Sequence, residues 1–559
     1  MRWQVAVGAA VLLTSGCGIP CQSDADCPSG SGCVGAKSAK PAENPFQSST
    51  PAELGTCDCD GDDCDVVGGW GGAGGYGASG GYGGSGGYGG SGANGGTGGT
   101  GGSGGAGGGS CVAPTPKGTL VSSGALGSPD EDGGALLAGA SGGQGVMAMS
   151  FKGTFGLGAT ALPGAGEQDV AVVRIDENGG LVWARSFGGP GADLPTAVAT
   201  KGDGVLVAAT FQGNIDVGTG LLSAGPGTAA VIFELDSTGK ALWAKVLAGD
   251  GDVRVNGLSV GPAGEIVIAG SFTGSFEVDG KPFASGGGWD AFVASLSSSV
   301  HVVDWSQVIA GPGDQKLSSV AVGPAGDILA AGSFEGTVEL LLVGGTAVSD
   351  GEDALVVKLS SQGTPLWVHS IGGADRQAAS GVAWGPWGSA VVTGTHASIS
   401  QSASDIVLAS NSKLPSVGAV DTFVAQLAQD GKLEWGQLLH GPPDTGEVAA
   451  QAVAVDCAGN IVVAGIARDG ADLGGGPLAA AGGFDAFVVE LDAAGKHLWS
   501  HLGGGAGDEV VSGLALLPPK ASTVGPIWVS GTFVGTADFG LGPLESAGAT
   551  DTFSLRLEP

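Results

Sequence analysis

An all-β chain, most of it a closed seven-bladed β-propeller, is what this sequence predicts, and three observations predict it. A phrase ending in tryptophan recurs at Trp183, Trp243, Trp305, Trp367, Trp435 and Trp499, at intervals of 60 to 68 residues. Self-similarity at such a period marks an array of one repeated structural unit. An apolar run usually opened by Asp occurs seven times, from Asp169, near Thr228, and from Asp290, Asp353, Asp421, Asp485 and Asp551. With 114 Gly and 27 Pro among 559 residues, the chain is also rich in turns, as short strands require.

The first sixteen residues read as a processing signal. Arg2 gives a minimal positive region, Trp3 to Leu13 an apolar stretch, and Leu13-Thr14-Ser15-Gly16-Cys17 ends it with small residues before a cysteine. The run resembles the lipobox of bacterial lipoproteins, with Thr14 where Leu is commoner. The resemblance implies cleavage before Cys17, acylation of its thiol, and attachment to a membrane. Gly18 rather than Asp follows it, so an outer-membrane or cell-surface address is expected. No later stretch of about 18 apolar residues could span a bilayer.

Residues 17–65 then form a cysteine-rich module. Cys21, Cys27, Cys33, Cys57, Cys59 and Cys64 are an even, crowded set in a segment too short to build an adequate core, which reads as a disulfide staple of unknown pairing. The run CQSDADCPSGSGC resembles short cysteine-rich modules of bacterial surface lipoproteins. Spacings of five, five, twenty-three, one and four residues, with no CxxC and no His, argue against zinc. Asp58, Asp60, Asp62, Asp63 and Asp65 invite calcium, but counting from Asp58 the positions where an EF-hand wants Gly and Glu hold Asp63 and Gly69. A solvated acidic turn is the expectation, and no cofactor is assigned.

Residues 66–110 are a linker. From Gly68 to Ser110 the chain is nearly all Gly, Ser, Thr and Ala, too poor in apolar surface to offset its ordering entropy. Its root-mean-square span is roughly 35 to 40 Å, enough to hold a domain off a membrane. Trp70, Tyr76, Tyr82 and Tyr88 recur in it every six residues.

Residues 111–559 are the propeller, in units of about 62 residues. One unit, LSSVAVGPAGDILAAGSFEG, a variable stretch, then DALVVKLSSQGTPLWVHSIGG, holds four apolar runs: Leu317 to Val322, Ile328 to Phe334, Ala354 to Leu359 and Leu366 to Ile371. The first run is built of small residues in every copy, which suits the crowded innermost strand of a radial array, and bulky Trp suits the outermost. The seventh copy stops at Leu557 without a fourth run. Gly118 to Gly127 aligns without a gap to Gly363 through Gly372, with Ser122 at the Trp position, so this N-terminal segment is expected to supply the missing outer strand. That closure sets Cys111 near Cys457, which lies in the first-to-second-strand turn of blade six, and predicts a disulfide between them.

These residues carry a resemblance. DAFVVELDAAGKHLWSHLGGGAGDE, preceded by AVAVDCAGNIVVAG, is similar to the bacterial SBBP-type β-propeller repeat. The likeness covers about four-fifths of the chain and implies the fold; the family carries no general catalytic motif to transfer. Blade two lacks the Asp, and blade five has an insertion between Thr395 and Asp421.

Chemical motifs are scarce. Gly139-Ala140-Ser141-Gly142-Gly143 fits GxSxG, but so does Gly83 to Gly87 inside the linker. Neither HExxH nor GxxxxGK[ST] occurs. Asp193, Asp252, Asp314, Asp375, Asp444 and Asp508 follow the Gly-rich turn closing each outer strand; a residue needed once per blade is expected to cap a turn, with calcium as the competing role. Residues that break the repeat are the better site candidates: His396, where other blades have Phe, together with Trp384, Trp387 and Trp289.

A formal charge of −33 argues against nucleic acid and anionic lipid surfaces. The expected function is a surface-anchored, non-enzymatic binding or scaffold protein, monomeric, engaging extracellular protein or glycan through a propeller face. The alternative is an extracellular polysaccharide hydrolase or lyase using paired carboxylates on the central face.

Overall fold

A computed structural model describes the backbone of Pro20–Cys21, Ser31–Val34 and Gly55–Cys59, and residues 117–559 apart from 159, 341–344, 399–404, 409–411 and 518–524. The chain divides into two units, Met1–Gly87 and Tyr88–Pro559. In the first, the three short strands make one antiparallel sheet with Gly55–Cys59 central, and its register sets Cys33 opposite Cys57. Cys17, Cys27, Cys64, Cys111 and the linker lie outside the described residues.

The second unit is a seven-bladed β-propeller whose blades are antiparallel sheets. Blade four shows the plan: Gln315–Val322 innermost, then Ile328–Leu340, Gly345–Leu359 and, outermost, Pro365–Ile371. Blade one begins at Leu136–Ala140. Blade seven consists of Val510–Leu516, Ile527–Phe533 and Asp551–Glu558, and its outer strand is Thr119–Leu126 from the other end of the chain. The register runs from Thr119 opposite Glu558 to Leu126 opposite Thr552, with Ser122 facing Arg556. The ring is closed by its own N-terminal strand as expected, which removes the open edge that three strands alone would leave.

The sequence explains the packing. Second strands such as Ile266–Phe272 and third strands such as Asp290–Leu296 are buried along their whole length and read as unbroken apolar runs. Inner strands are built of Ala, Gly, Ser and Val because neighbouring blades converge there; a β-carbon on Gly257 would lie 2.9 Å from the backbone nitrogen of Val320 in the next blade. Between blades two and three, Ala197, Ala199, Leu206, Ala208 and Ile232 pack against Val255, Leu258 and Ile266. Each large apolar side chain fully buried in this way is worth about 1.5 to 3 kcal/mol.

The stretch that looked merely variable holds a second ring. Between its second and third strands nearly every blade inserts a small β-hairpin, such as Asn214–Asp216 with Leu221–Ser223 or Thr536–Asp538 with Pro543–Glu545; in blade four the two central strands extend to form it. In six blades the hairpin reaches the end of the preceding blade's outer strand, through bridges Gly127 to Gly156, Gly188 to Asp216, Gly249 to Phe276, Gly372 to Val407, His440 to Asp472 and Gly504 to Asp538. This crossing accounts for the Gly-Gly that ends the outer strands. A β-carbon on Gly188 would collide with the carboxylate of Asp169, and one on Gly189 with the carbonyl of Asn214 in the next blade's hairpin.

The Trp phrase has an equally local cause. The indole Nε1 of Trp183 donates to the carbonyl of Ser237 (2.9 Å), Trp305 to Ser361 (3.0 Å), Trp367 to Gln429 (3.2 Å) and Trp435 to Ala493 (3.1 Å), each in the third-to-fourth-strand turn of the following blade. The Gly that opens the next phrase lies under the ring: a β-carbon would sit 2.9 Å from Trp183 at Gly239 and 2.8 Å from Trp435 at Gly495. Both glycines also have φ near +80°, which side chains resist. Trp243 and Trp499 turn their Nε1 instead to Glu234 and Glu490 of their own blades.

Candidate functional site

The innermost strands define the axis. In six of them one residue bulges out of the pairing register: Thr196, Asn256, Ser318, Ser380, Gln451 and Ser512. These are small or amide side chains, and several tie blade to blade. Thr196 Oγ1 donates to the carbonyl of Val255, Asn256 Nδ2 to Leu317 (2.8 Å) and Ser318 Oγ to Ala379 (2.7 Å). Their hydrogen-bonding capacity is directed into the ring.

The acids that looked like one set in the sequence fall into distinct structural positions. Strand register aligns Asp193 with Val253, Gln315, Gln377 and Val448, opposite the end of each second strand, and Glu509 precedes Val510 at the same position. Asp252, Asp314 and Asp508 stand one residue earlier and accept the backbone N–H of Thr228 (2.9 Å), Trp289 (3.1 Å) and Phe484 (2.9 Å) in the preceding blade. That is the expected capping role, exerted across a junction rather than within a turn. Asp444 sits in a loop with φ 64°, and Asp375 lies beside His396. Among the described residues no three Asp, Glu, His or Cys side chains gather as a metal set.

A second group of acids is buried between blades. In five blades the Asp opening the third strand turns its carboxylate back on the hairpin end: Asp169 Oδ2 accepts Ala165 N–H (2.7 Å), Asp290 Oδ2 accepts Gly286 N–H (2.6 Å) and Asp485 Oδ2 accepts Ala481 N–H (2.6 Å), with Asp421 and Asp551 alike. At three junctions another carboxyl lies beside it. Burial, with Asp169 close by, pushes Asp193 up to about 7. Burial and Asp551 raise Asp132 to about 6, and burial and Asp485 raise Glu509 to about 7.

Three of the four repeat-breaking candidates are occupied by packing. His396 is fully buried; its Nδ1 lies 2.8 Å from Gln377 Nε2 and its Nε2 3.8 Å from Asp375 Oδ2. Burial holds its pKa below the usual histidine range, against the pull of Asp375 and Asp421. The aligned position is Phe in Phe151, Phe211, Phe272, Phe334 and Phe533 but Ala467 in blade six, so blade five is not the sole departure. Trp384 donates Nε1 to the carbonyl of Ala321 (3.0 Å), with the Lys358 ammonium over its ring. Trp289 lies under the Arg254 guanidinium.

Trp387 differs. It occupies the middle of the blade-five turn Gly385-Pro386-Trp387-Gly388, where blades three, four and six have Ala263, Ala325 and Ala458, and its side chain is 72% exposed. One edge of the ring abuts Gly459 in the neighbouring turn of blade six. That turn contains Cys457, which is disulfide-bonded. The expected partner, Cys111, lies outside the described residues.

Neither a protein-family model nor a curated protein matches the chain. Among solved structures, it is similar to a protein of unknown function from Dyadobacter fermentans (11% identity over 78% of this chain and 98% of that one, TM-score 0.35). It is also similar to a gluconolactonase from Xanthomonas campestris (13% identity, 66% and 98%, TM-score 0.25). A third is a subtype N11 neuraminidase-like protein of A/flat-faced bat/Peru/033/2010 (10% identity, 63% and 84%, TM-score 0.31).

Proposed function

We propose that this chain is a lipid-anchored, SBBP-type propeller of the outer membrane or cell surface that binds extracellular protein or glycan without catalysing a reaction. The anchor rests on the lipobox-like run ending at Cys17, and the binding role on Trp387. An exposed indole at the middle of a turn, in a ring whose outer-strand tryptophans are engaged at blade junctions, is a platform of the kind that stacks on a sugar ring or anchors a protein interface. The hydrolase reading would draw on the carboxyl pairs, but Asp193 and Glu509 are 0% exposed and cannot reach a polysaccharide. The test is a glycan array probed with the full chain and with Trp387→Ala. Binding that falls tenfold or more in the variant supports the reading; glycan cleavage by the wild type overturns it.

A further inference from the structure

The seven junctions of the ring are not alike. The 6/7, 7/1 and 1/2 junctions are consecutive, and each sets one carboxyl against another: Glu509 with Asp485, Asp132 with Asp551, and Asp193 with Asp169. At the same two positions the other junctions have Ala229 and Val253, Asp290 and Gln315, Asp353 and Gln377, and Asp421 and Val448. The double acids are therefore confined to the sector where the N-terminal strand closes the ring.

All six carboxyls are at most 3% exposed. No protein N–H or O–H reaches Asp169 Oδ1, Asp193 Oδ1, Asp485 Oδ1 or Glu509 Oε1. Parallel bridges set Gln168 against Ala192 and Glu131 against Thr550, each next to a pair, and a β-carbon on Gly504 would meet both Glu509 Oε2 and Asp485 Oδ1. The surroundings supply little compensating charge. Asp508 and Asp469 face the Glu509 pair, and the nearby Arg468 guanidinium is engaged by the Phe484 ring at 3.8 Å and by Glu447 at 3.4 Å. Asp130 and Glu131 adjoin Asp132; Glu167 precedes Asp169 by two residues, and Lys152, next to its register partner Phe151, is exposed. Two buried carboxylates in contact cannot both ionise without large cost.

The geometry points to a proton-dependent latch: the closing sector, from blade six through blade seven to blade two, is held shut by carboxyl pairs that each retain a proton, and it loosens when those protons leave. The sign follows from linkage. Asp132, Asp193 and Glu509 release their protons in the closed ring at about 6, 7 and 7, whereas in an opened sector they would do so in the ordinary carboxylate range near 4. Closed-state stability is thus fullest below about 4, falls as pH rises toward 7 and is level above it. For one pair the opening equilibrium grows roughly tenfold per pH unit within that window, about 30-fold from pH 5.5 to 7.

Amide hydrogen exchange on the full chain at pH 5.5 and 7.5, corrected for intrinsic rates, reads this directly. Peptides covering Thr119–Leu126, Asp551–Glu558 and the inner strands of blades one, two and seven are expected to lose protection by about 30-fold or more, while blades three to five change little. Asp132→Asn with Asp193→Asn and Glu509→Gln removes the difference. If that triple variant fails to fold, Glu509→Gln alone serves, because Gln315 and Gln377 already occupy its position in blades four and five; it abolishes the pH response at the 6/7 junction. A uniform response in all seven blades, no response, or one that survives these substitutions overturns the latch.

Discussion

The Arg556 guanidinium of blade seven donates to the carbonyl of Glu177 in blade one, the bond that an indole makes at four other junctions. Arg556 faces Ser122, which occupies the Trp slot of the closing strand, so the missing indole's hydrogen bond is replaced from the neighbouring strand. Its packing is not replaced: a β-carbon at Gly179, the glycine of the blade-one turn, would meet nothing within 4 Å.

That asymmetry separates two substitutions of the same kind. Gly495→Ala places a methyl 2.8 Å from Trp435 at a positive φ and is expected to cost about 2 to 4 kcal/mol. Gly179→Ala, with the same φ and open space, costs about 1 kcal/mol. Denaturant titration of the two variants checks the order, and equal losses would show that the Trp shelf contributes nothing.

The disulfide at Cys457 is expected to join Cys111. Peptide mapping without reductant decides the partner, and recovery of Cys457 with any cysteine of the 17–65 module rejects the pairing. Cys457→Ser should cost about 2 to 5 kcal/mol. Deleting residues 117–127 should broaden the unfolding transition by leaving blade seven three-stranded.

Acid weakens the fold through a different set of groups. Burial holds His369, His396 and His501 below the usual histidine range, so the native ring binds fewer protons than the unfolded chain once pH drops below about 6.5. Their contribution is complete above that value and is lost as pH falls through it. Above 6.5 the histidine contribution is complete while that of the carboxyl pairs is still falling, so stability declines from there to about pH 7. Melting temperatures from pH 4 to 9 test it, with His396→Gln expected to flatten the acid side.

Trp384 and Trp387 are three residues apart and should behave oppositely. Trp384→Ala removes an indole bonded to Ala321 and covered by Lys358, costing about 2 to 4 kcal/mol. Trp387→Ala should change stability by about 0.5 kcal/mol or less. A large loss from the latter would make it a packing residue.

At the membrane end, Cys17→Ala should move the protein from the membrane to the soluble fraction, and unchanged fractionation would rule out the lipid anchor.

The blade count and the closure were legible in the sequence because both rest on long apolar runs with a fixed offset to Trp. The hairpins were not: strands such as Ala471–Asp472 and Pro477–Leu478 are too short to show a period, and they are held by bridges to a neighbouring blade. The acids misled for a related reason. Asp193 and Asp252 stand at similar distances from a Gly-rich turn, but register puts them one residue apart, and in a strand that step turns a side chain to the opposite face. His396 and Trp384 stood out as departures from the repeat, yet only their contacts show that they are packing residues, whereas exposure distinguishes Trp387.

The closing strand Thr119–Leu126 lies along Asp551–Glu558 for its full length. A Cys111 to Cys457 bond would pass load from the linker into blade six; without it the load is delivered along this strand, so its ladder is pulled in shear and its bonds share the force instead of parting one by one. A ring completed by its leading strand is in mechanical terms a buckle, with the strap threaded through the part that must not open.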